Sequence, residues 1–246
     1  MDSNKQRCQD VVLGLLLHDV GKLIQRAERK KRNHMETGAS WLEERQRWNS
    51  WAFAARYHHE DYRASVKLTD LKEPRQRYLA ALISKADNLS ASEREEVTGS
   101  WDQNVSLQNL FDGLGKEGIG SRKPTFFPPA PLSDRIPLLP SDIPPQDLQV
   151  RYQNLERGLR DLLDGAAPEQ VAPEWLLRVL EVYTSLVPSE TSVGEGRYPD
   201  ISLFDHLRTT AMIALCLMEA LEAADPVLPE RPEPEVQLLE IHQQLG

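Results

Sequence analysis

The dipeptide His18-Asp19 lies inside an apolar helical repeat, and that placement restricts what this chain can fold into. Val11, Val12, Leu15, Leu16, Leu23 and Ile24 recur at the spacing of a buried helix face. Such a helix carries His18 and Asp19 into apolar surroundings, where a carboxylate without a partner is costly. Asp19 is therefore expected to be hydrogen-bonded, paired or metal-bound, and the rest of the fold has to bring it company. Gly21 is expected to loosen the helix just after the pair and leave Lys22 able to swing toward whatever the two side chains hold. A His-Asp dipeptide is common by chance and gains its weight only from this setting.

Further along, the periodicity predicts helices over 8–27, 34–48, 49–62 and 75–96. The third carries Trp51, Ala52, Ala55 and the pair His58-His59, and the fourth has Leu79, Ile83 and Asp87 on one face. From about residue 113 to 145 the composition turns to Gly and Pro, with Phe126-Phe127-Pro128-Pro129 and Pro144-Pro145, which suits an extended excursion with room for a short β-hairpin. Helical patterns resume over 147–164 and over 174–187, with Pro173 as a first-turn residue. Ser202-Leu203-Phe204-Asp205 has the capping-box form before a long helix to about residue 224, on which His206, Thr210, Ile213 and Leu217 share one side.

These patterns predict an all-α helical bundle with one irregular Pro-rich insertion at about 97–146. The main domain is expected over 1–224, followed by a Pro-rich linker and the start of a further segment over 225–246. There is no long uninterrupted apolar window and no leader-like N-terminus, so the reading is a cytoplasmic chain without membrane contact. Cys8 and Cys216 lie in apolar patterns and are expected to be core thiols, too few for a disulfide framework. The net charge of −9 speaks against nucleic acid, but its distribution does not. Residues 1–100 hold 18 Lys and Arg against 15 Asp and Glu, a balance of +3, whereas the remainder holds 11 against 23. Arg26, Arg29, Lys30, Lys31 and Arg32 form a basic run that suits a phosphate backbone, and equally a solvated loop.

Five of the six histidines, His18, His34, His58, His59 and His206, join Asp19 and Asp87 as candidate metal ligands. Hydrolysis of a phosphodiester at neutral pH needs an activated water, neutralised phosphoryl oxygens and help for the leaving oxygen, and two metal ions about 3.5–4 Å apart supply all three. Mixed imidazole and carboxylate ligands suit Mn, Fe, Co, Ni or Zn better than Mg or Ca. One division gives a first ion His18, Asp19, Asp87 and His206, and a second Asp19, His34, His58 and His59, with Asp19 bridging. Plainer readings stand beside each residue. His34 follows Asn33 in a polar stretch and could be solvated, and His58-His59 could answer a helix dipole, since only one of two adjacent helical residues points directly inward. Asp87 could bond Lys85 or backbone, and His206 could be a satisfied core histidine. Jointly these are less economical, because only His242 falls outside the set.

His18-Asp19-Val20-Gly21-Lys22, His34 with Gly38, His58-His59, and Lys85-Ala86-Asp87-Asn88-Leu89-Ser90-Ala91 with Glu93-Arg94 resemble the HD nuclease domain at the N-terminus of the large subunit of type III CRISPR effector complexes. The Ala-Asp-x-Leu-Ser-Ala segment is the most family-specific, and Asp200 to His206 followed by Thr209-Thr210-Ala211 is also similar to that subunit. The resemblance runs from about Val11 to about Leu221. It implies a circularly permuted HD domain in which the usual first histidine comes last, a role His206 fills. It also implies a nuclease that cuts single-stranded DNA with Mn, Ni or Co, alongside other effector subunits, crRNA and target RNA. In that family palm domains with a Gly-Gly-Asp-Asp motif come next and make cyclic oligoadenylates. No such motif occurs in this sequence, so that synthesis is not assigned, and the chain reads as an excised domain or a naturally short form. The large subunit of type I-D systems carries a similar permuted domain.

The leading expectation is a metal-dependent nuclease with His18 and Asp19 at the reaction centre and Lys22 on the scissile phosphate. Two rivals stand: a nucleotide phosphohydrolase on the same core, and a catalytically weak structural module docking neighbouring effector subunits.

Overall fold

The computed structural model describes residues 11–29, 33–59, 66–91, 100–101, 105–109, 125–133, 139–141, 145–190, 192–193, 199–231 and 233–234. Helices dominate in the order expected: α1 over 11–17, α2 Gly21–Glu28, α3 His34–Glu43, α4 Ala52–Tyr57, α5 Pro74–Ala91, α6 Pro145–Asp164, α7 Pro173–Thr184 and α8 Leu203–Ala224. By internal contacts the chain divides into two units. The first comprises 1–21, 33–94 and 207–246, the second 22–32 and 95–206. Both divisions cut continuous helices, α2 between Gly21 and Lys22 and α8 between His206 and Leu207.

In the first unit, α3 packs on α4 and α4 on α5. The core holds Leu15, Leu16, Leu42, Trp48, Tyr78 and Leu82, all nearly without exposure. Alanines at 80, 81 and 86 let neighbours approach α5 closely, which explains why nine of its residues are buried, Asp87 among them. Arg45 is buried with its guanidinium 3.6 Å over the Trp41 ring, a stacking that keeps its charge compensated while its stem fills the core.

The predicted helix over 8–27 is interrupted. Residues 18–20 form a turn, closed by the Val20 amide donating to the Leu17 carbonyl at 3.2 Å, and α2 starts afresh at Gly21. The loosening expected after the His-Asp pair thus occurs at the pair itself. The expected helix over 49–62 is also shorter, a 3-10 turn Asn49–Trp51 leading into α4, which stops at Tyr57. Cys216 is exposed on α8 and is no core thiol, because it falls on the side of the helix opposite Ala214 and Met218. Cys8 lies outside the described residues.

In the second unit α6 packs on α7, and the Tyr152 hydroxyl donates to the Val105 carbonyl at 2.5 Å. Burial pushes the Tyr152 phenol up to about 12, so it remains a donor across the physiological range. Among the described residues, the Pro-rich excursion contributes short antiparallel pairings. Strand Leu107–Gln108 pairs with Phe126–Phe127, and Ser100–Trp101 pairs with Ser192–Val193. Among the described residues, no helix is long and apolar enough to cross a membrane.

Candidate metal centre

The turn at 18–20 explains how two consecutive residues serve one site. In an unbroken helix neighbours diverge by about 100°, whereas here both His18 and Asp19 are fully buried and close together, with His18 Nε2 3.8 Å from Asp19 Oδ2. The Nδ1 of His18 lies 2.6 Å from the Leu15 carbonyl. A carbonyl only accepts, so Nδ1 carries the hydrogen and Nε2 presents its lone pair inward. His58 repeats the device, donating Nδ1 to the Ala55 carbonyl at 2.7 Å and turning Nε2 to 3.4 Å from Asp19 Oδ1.

Each remaining ligand candidate is placed by a local structural cause. Asn33 caps α3 by accepting from the Glu36 amide at 2.8 Å, which makes His34 the first helical residue. Its Nε2 lies 3.3 Å from Asp19 Oδ1 and 3.3 Å from His58 Nε2. Because α4 ends at Tyr57, His59 sits beyond the helix and escapes the rule that adjacent helical residues diverge. Its Nδ1 lies 3.6 Å from Asp87 Oδ2, and the other Asp87 oxygen is 3.7 Å from His18 Nε2. His206 rides on the first turn of α8, whose continuation from Leu207 belongs to the first unit. The Ser202 hydroxyl starts that helix by accepting from the Asp205 amide at 3.0 Å and donating to the Asp205 carboxylate at 2.8 Å.

The donor atoms form two groups, His18 with Asp19, Asp87 and His206, and His34 with His58 and His59; within each group they lie no more than 4.8 Å apart. Asp19 faces both, Oδ1 toward His34 and His58 and Oδ2 toward His18. Ligands at about 2.1 Å in tetrahedral array sit about 3.4 Å from one another, and the observed separations of 3.3 to 3.8 Å match that edge. The residues present therefore fit divalent ions, with hard carboxylate and borderline imidazole donors on shared centres. Burial pulls the His18 pKa down, but Asp87 and Asp19 beside it pull harder, and the net direction is up.

Not every expected site residue belongs here. Arg26 is buried at 1% exposure, donating to the Lys22 and Glu190 carbonyls at 2.9 and 2.7 Å and lying 5.8 Å over the Tyr152 ring. It is withdrawn as a phosphate contact, since its charge and donors are committed inside the second unit. Arg29 is exposed with a left-handed backbone, φ 51°. Lys30, Lys31 and Arg32 lie outside the described residues. Lys22 is half-buried on the first turn of α2. The Ser90 hydroxyl, which the sequence marks only as part of the Ala-Asp-x-Leu-Ser-Ala segment, donates to the Asp87 carbonyl at 2.9 Å and lies 2.9 Å from the Thr210 hydroxyl. Its place three residues after Asp87 was the available signal.

Residues 5–92 match the HD domain family, a span that includes every ligand candidate except His206. The chain is 27% identical over 231 residues to the single-strand-specific deoxyribonuclease Cas10/Csm1 (subtype III-A) of Streptococcus thermophilus, covering 87% of this chain and 28% of that protein. It is 30% identical over 227 residues to the Thermococcus onnurineus protein of the same name, covering 85% and 27%. The solved structure of Csm1 from T. onnurineus superposes with a TM-score of 0.62 at 28% identity, over 87% of this chain and 29% of that one. A Csm1–Csm4 subcomplex of the type III-A interference complex does so with 0.62 at 27% identity, over 87% and 28%. The chain thus spans a little over a quarter of the relatives it matches. Residues 5–92 match an HD domain, and over most of its length the chain is similar in sequence and fold to Cas10/Csm1 proteins of type III systems.

Proposed function

We propose that the chain is a metal-dependent phosphodiesterase that cuts single-stranded DNA within a type III RNA-guided effector complex. The observation that carries this reading is the placement of Asp19, whose two oxygens face two separate histidine-rich ligand groups. His18, Asp19, Asp87 and His206 hold one ion in this reading, and Asp19, His34, His58 and His59 the other. The donor set favours Mn, Ni or Co, with Fe or Zn as alternatives. Such ions, when bound, acidify water and neutralise charge on phosphoryl oxygens.

The protein's own part is positional. The Leu15 and Ala55 carbonyls fix the tautomers of His18 and His58, so both nitrogens are ready without reorganisation. His34 and His59 are the partly exposed ligands, at 22% and 32%, and mark the side from which a strand reaches the centre. Lys22 is assigned to the scissile phosphate, and Arg29 with Lys30, Lys31 and Arg32 to the backbone beyond it. The functional domain in this reading runs over 1–224, with 225–246 a Pro-rich linker and the start of a further segment. Neighbouring effector subunits are its partners in this reading, in line with the Csm1–Csm4 subcomplex that it resembles, and crRNA and target RNA are proposed with them.

The test incubates purified chain with end-labelled single-stranded DNA, duplex DNA and dNTPs in Mn²⁺, with a His18→Ala/Asp19→Ala control. Cleavage of the single strand alone, lost in the control, is the expected result. Hydrolysis of dNTPs in place of DNA assigns a nucleotide phosphohydrolase, and no turnover of any substrate by folded, metal-loaded protein assigns a docking module.

A further inference from the structure

The second ligand group depends on a segment, α3, that must come unusually close to the start of α2. At Gly21 an added Cβ would stand 1.9 Å from the His34 carbonyl oxygen and 2.7 Å from the Gly38 amide nitrogen. At Gly38 it would stand 3.0 Å from the Gly21 nitrogen, 3.1 Å from the Gly21 Cα and 3.4 Å from the Ala55 Cβ. The two glycines therefore mark the place where the backbone of α3 meets the backbone at the start of α2, with the Ala55 side chain of α4 beside them. The residue whose carbonyl takes the closest contact is His34 itself, and the helix that supplies Ala55 beside Gly38 is α4, which His58 caps. Ligand distances to a metal tolerate only about 0.2 Å. Moving the His34 carbonyl from 1.9 Å out past 3.0 Å exceeds that tolerance several times over.

We propose that Gly21 and Gly38 are positioning residues which, by lacking a side chain, hold His34 against Asp19 and so decide whether the second ion is retained. The inference rests on the two-ion reading above. The three atoms nearest a Cβ on Gly21 belong to His34 and Gly38, and none to His18, Asp19, Asp87 or His206. Substitution should thus strip the second group and spare the first. Gly14 is the natural control, since a Cβ there meets only the Trp51 ring at 3.4 Å and the Ala54 Cβ at 3.6 Å, ordinary contacts.

The experiment measures Mn²⁺ bound per chain by titration calorimetry and elemental analysis in wild type, G14A, G21A and G38A, with circular dichroism as the folding check. Wild type and G14A are expected to hold two ions. G21A is expected to hold one, and G38A to bind its second ion about 10-fold more weakly, the usual cost of a lost supporting contact. Two ions at wild-type affinity in folded G21A and G38A overturn the proposal; if G21A does not fold, G38A decides. The ¹⁵N signals of the imidazole rings in metal-free protein give a second readout. His34 and His58, whose Nε2 atoms lie 3.3 Å apart, should shift in G38A while His18 does not, and unmoved His34 and His58 signals overturn the proposal. A wild type that binds no ion defeats the two-ion reading instead, and the ring signals then judge the positioning role alone.

Discussion

The two ligand groups differ in how they are held. His18, Asp19, Asp87 and His206 are all buried, the least so being 6% exposed at the Asp87 side chain, and they stand on the 18–20 turn and two long helices. His34 and His59 are 22% and 32% exposed and stand at a helix start and beyond a helix end. Buried charges and imidazoles cost folding energy unless compensated, so the first group is bound up with the stability of the core. In the second group His34 and His59 carry less of that cost and can adjust, while His58 is buried and held by the Ala55 carbonyl. In the proposed two-ion reading, the contrast separates an ion that is part of the fold from one that belongs to the surface where a substrate arrives.

The contrast is tested most strongly at Asp19, which serves both groups. Asp19→Asn keeps the volume but removes the shared charge, and metal analysis should find both ions lost and cleavage at background. Retention of either ion would show that the groups are independent. Removing all metal with a chelator should destabilise the fold through the first group, by about 2.7 kcal/mol where free ion had stood at 100 times its dissociation constant. His59→Ala, which keeps all four residues of the first group and removes only the His59 contact to Asp87, should melt with nearly the same chelator-sensitive difference; a much smaller one would break the assignment of stability to the buried ion.

His59→Ala should itself weaken the second ion by roughly 10- to 100-fold with little change in melting temperature. A pH series sharpens the same point. In metal-free protein the raised His18 pKa means that its protonated ring contributes stability below the unfolded value of 6.5, and that this is lost as pH rises through the folded value. The bound ion competes with that proton. The melting difference between loaded and metal-free protein should therefore widen as pH rises above the unfolded value of 6.5; a constant difference would mean that His18 is not a ligand.

The smallest expected effect lies at the rim. Arg56 on α4 grips α3 through Glu36 at 3.1 Å and Glu43 at 2.6 Å, and its hydrogen bond and charge hold the Glu43 carboxyl below its ordinary value. Glu36 and Glu43 are 44% and 48% exposed, so solvent screens the cluster and Arg56→Ala should cost no more than about 1 kcal/mol in denaturant unfolding. A loss several times larger would mean that the clamp on the second group is electrostatic more than steric.

The sequence by itself determined the helices and the ligand candidates, because periodic apolar residues report which face is buried and a histidine or carboxylate on that face needs a partner. The cap at Ser202 was legible for the same reason, being a local interaction among four neighbouring residues. What only the tertiary structure decided is what each face meets. Arg26 looked like part of a solvated basic run, yet Glu190 and Tyr152, more than a hundred residues away, enclose it. Gly21 looked like a helix breaker, whereas its role is to admit the backbone of His34. His58 and His59 could both turn inward only because α4 ended where it did. Periodicity describes one segment at a time, and close approach between segments is set by packing that no single segment encodes.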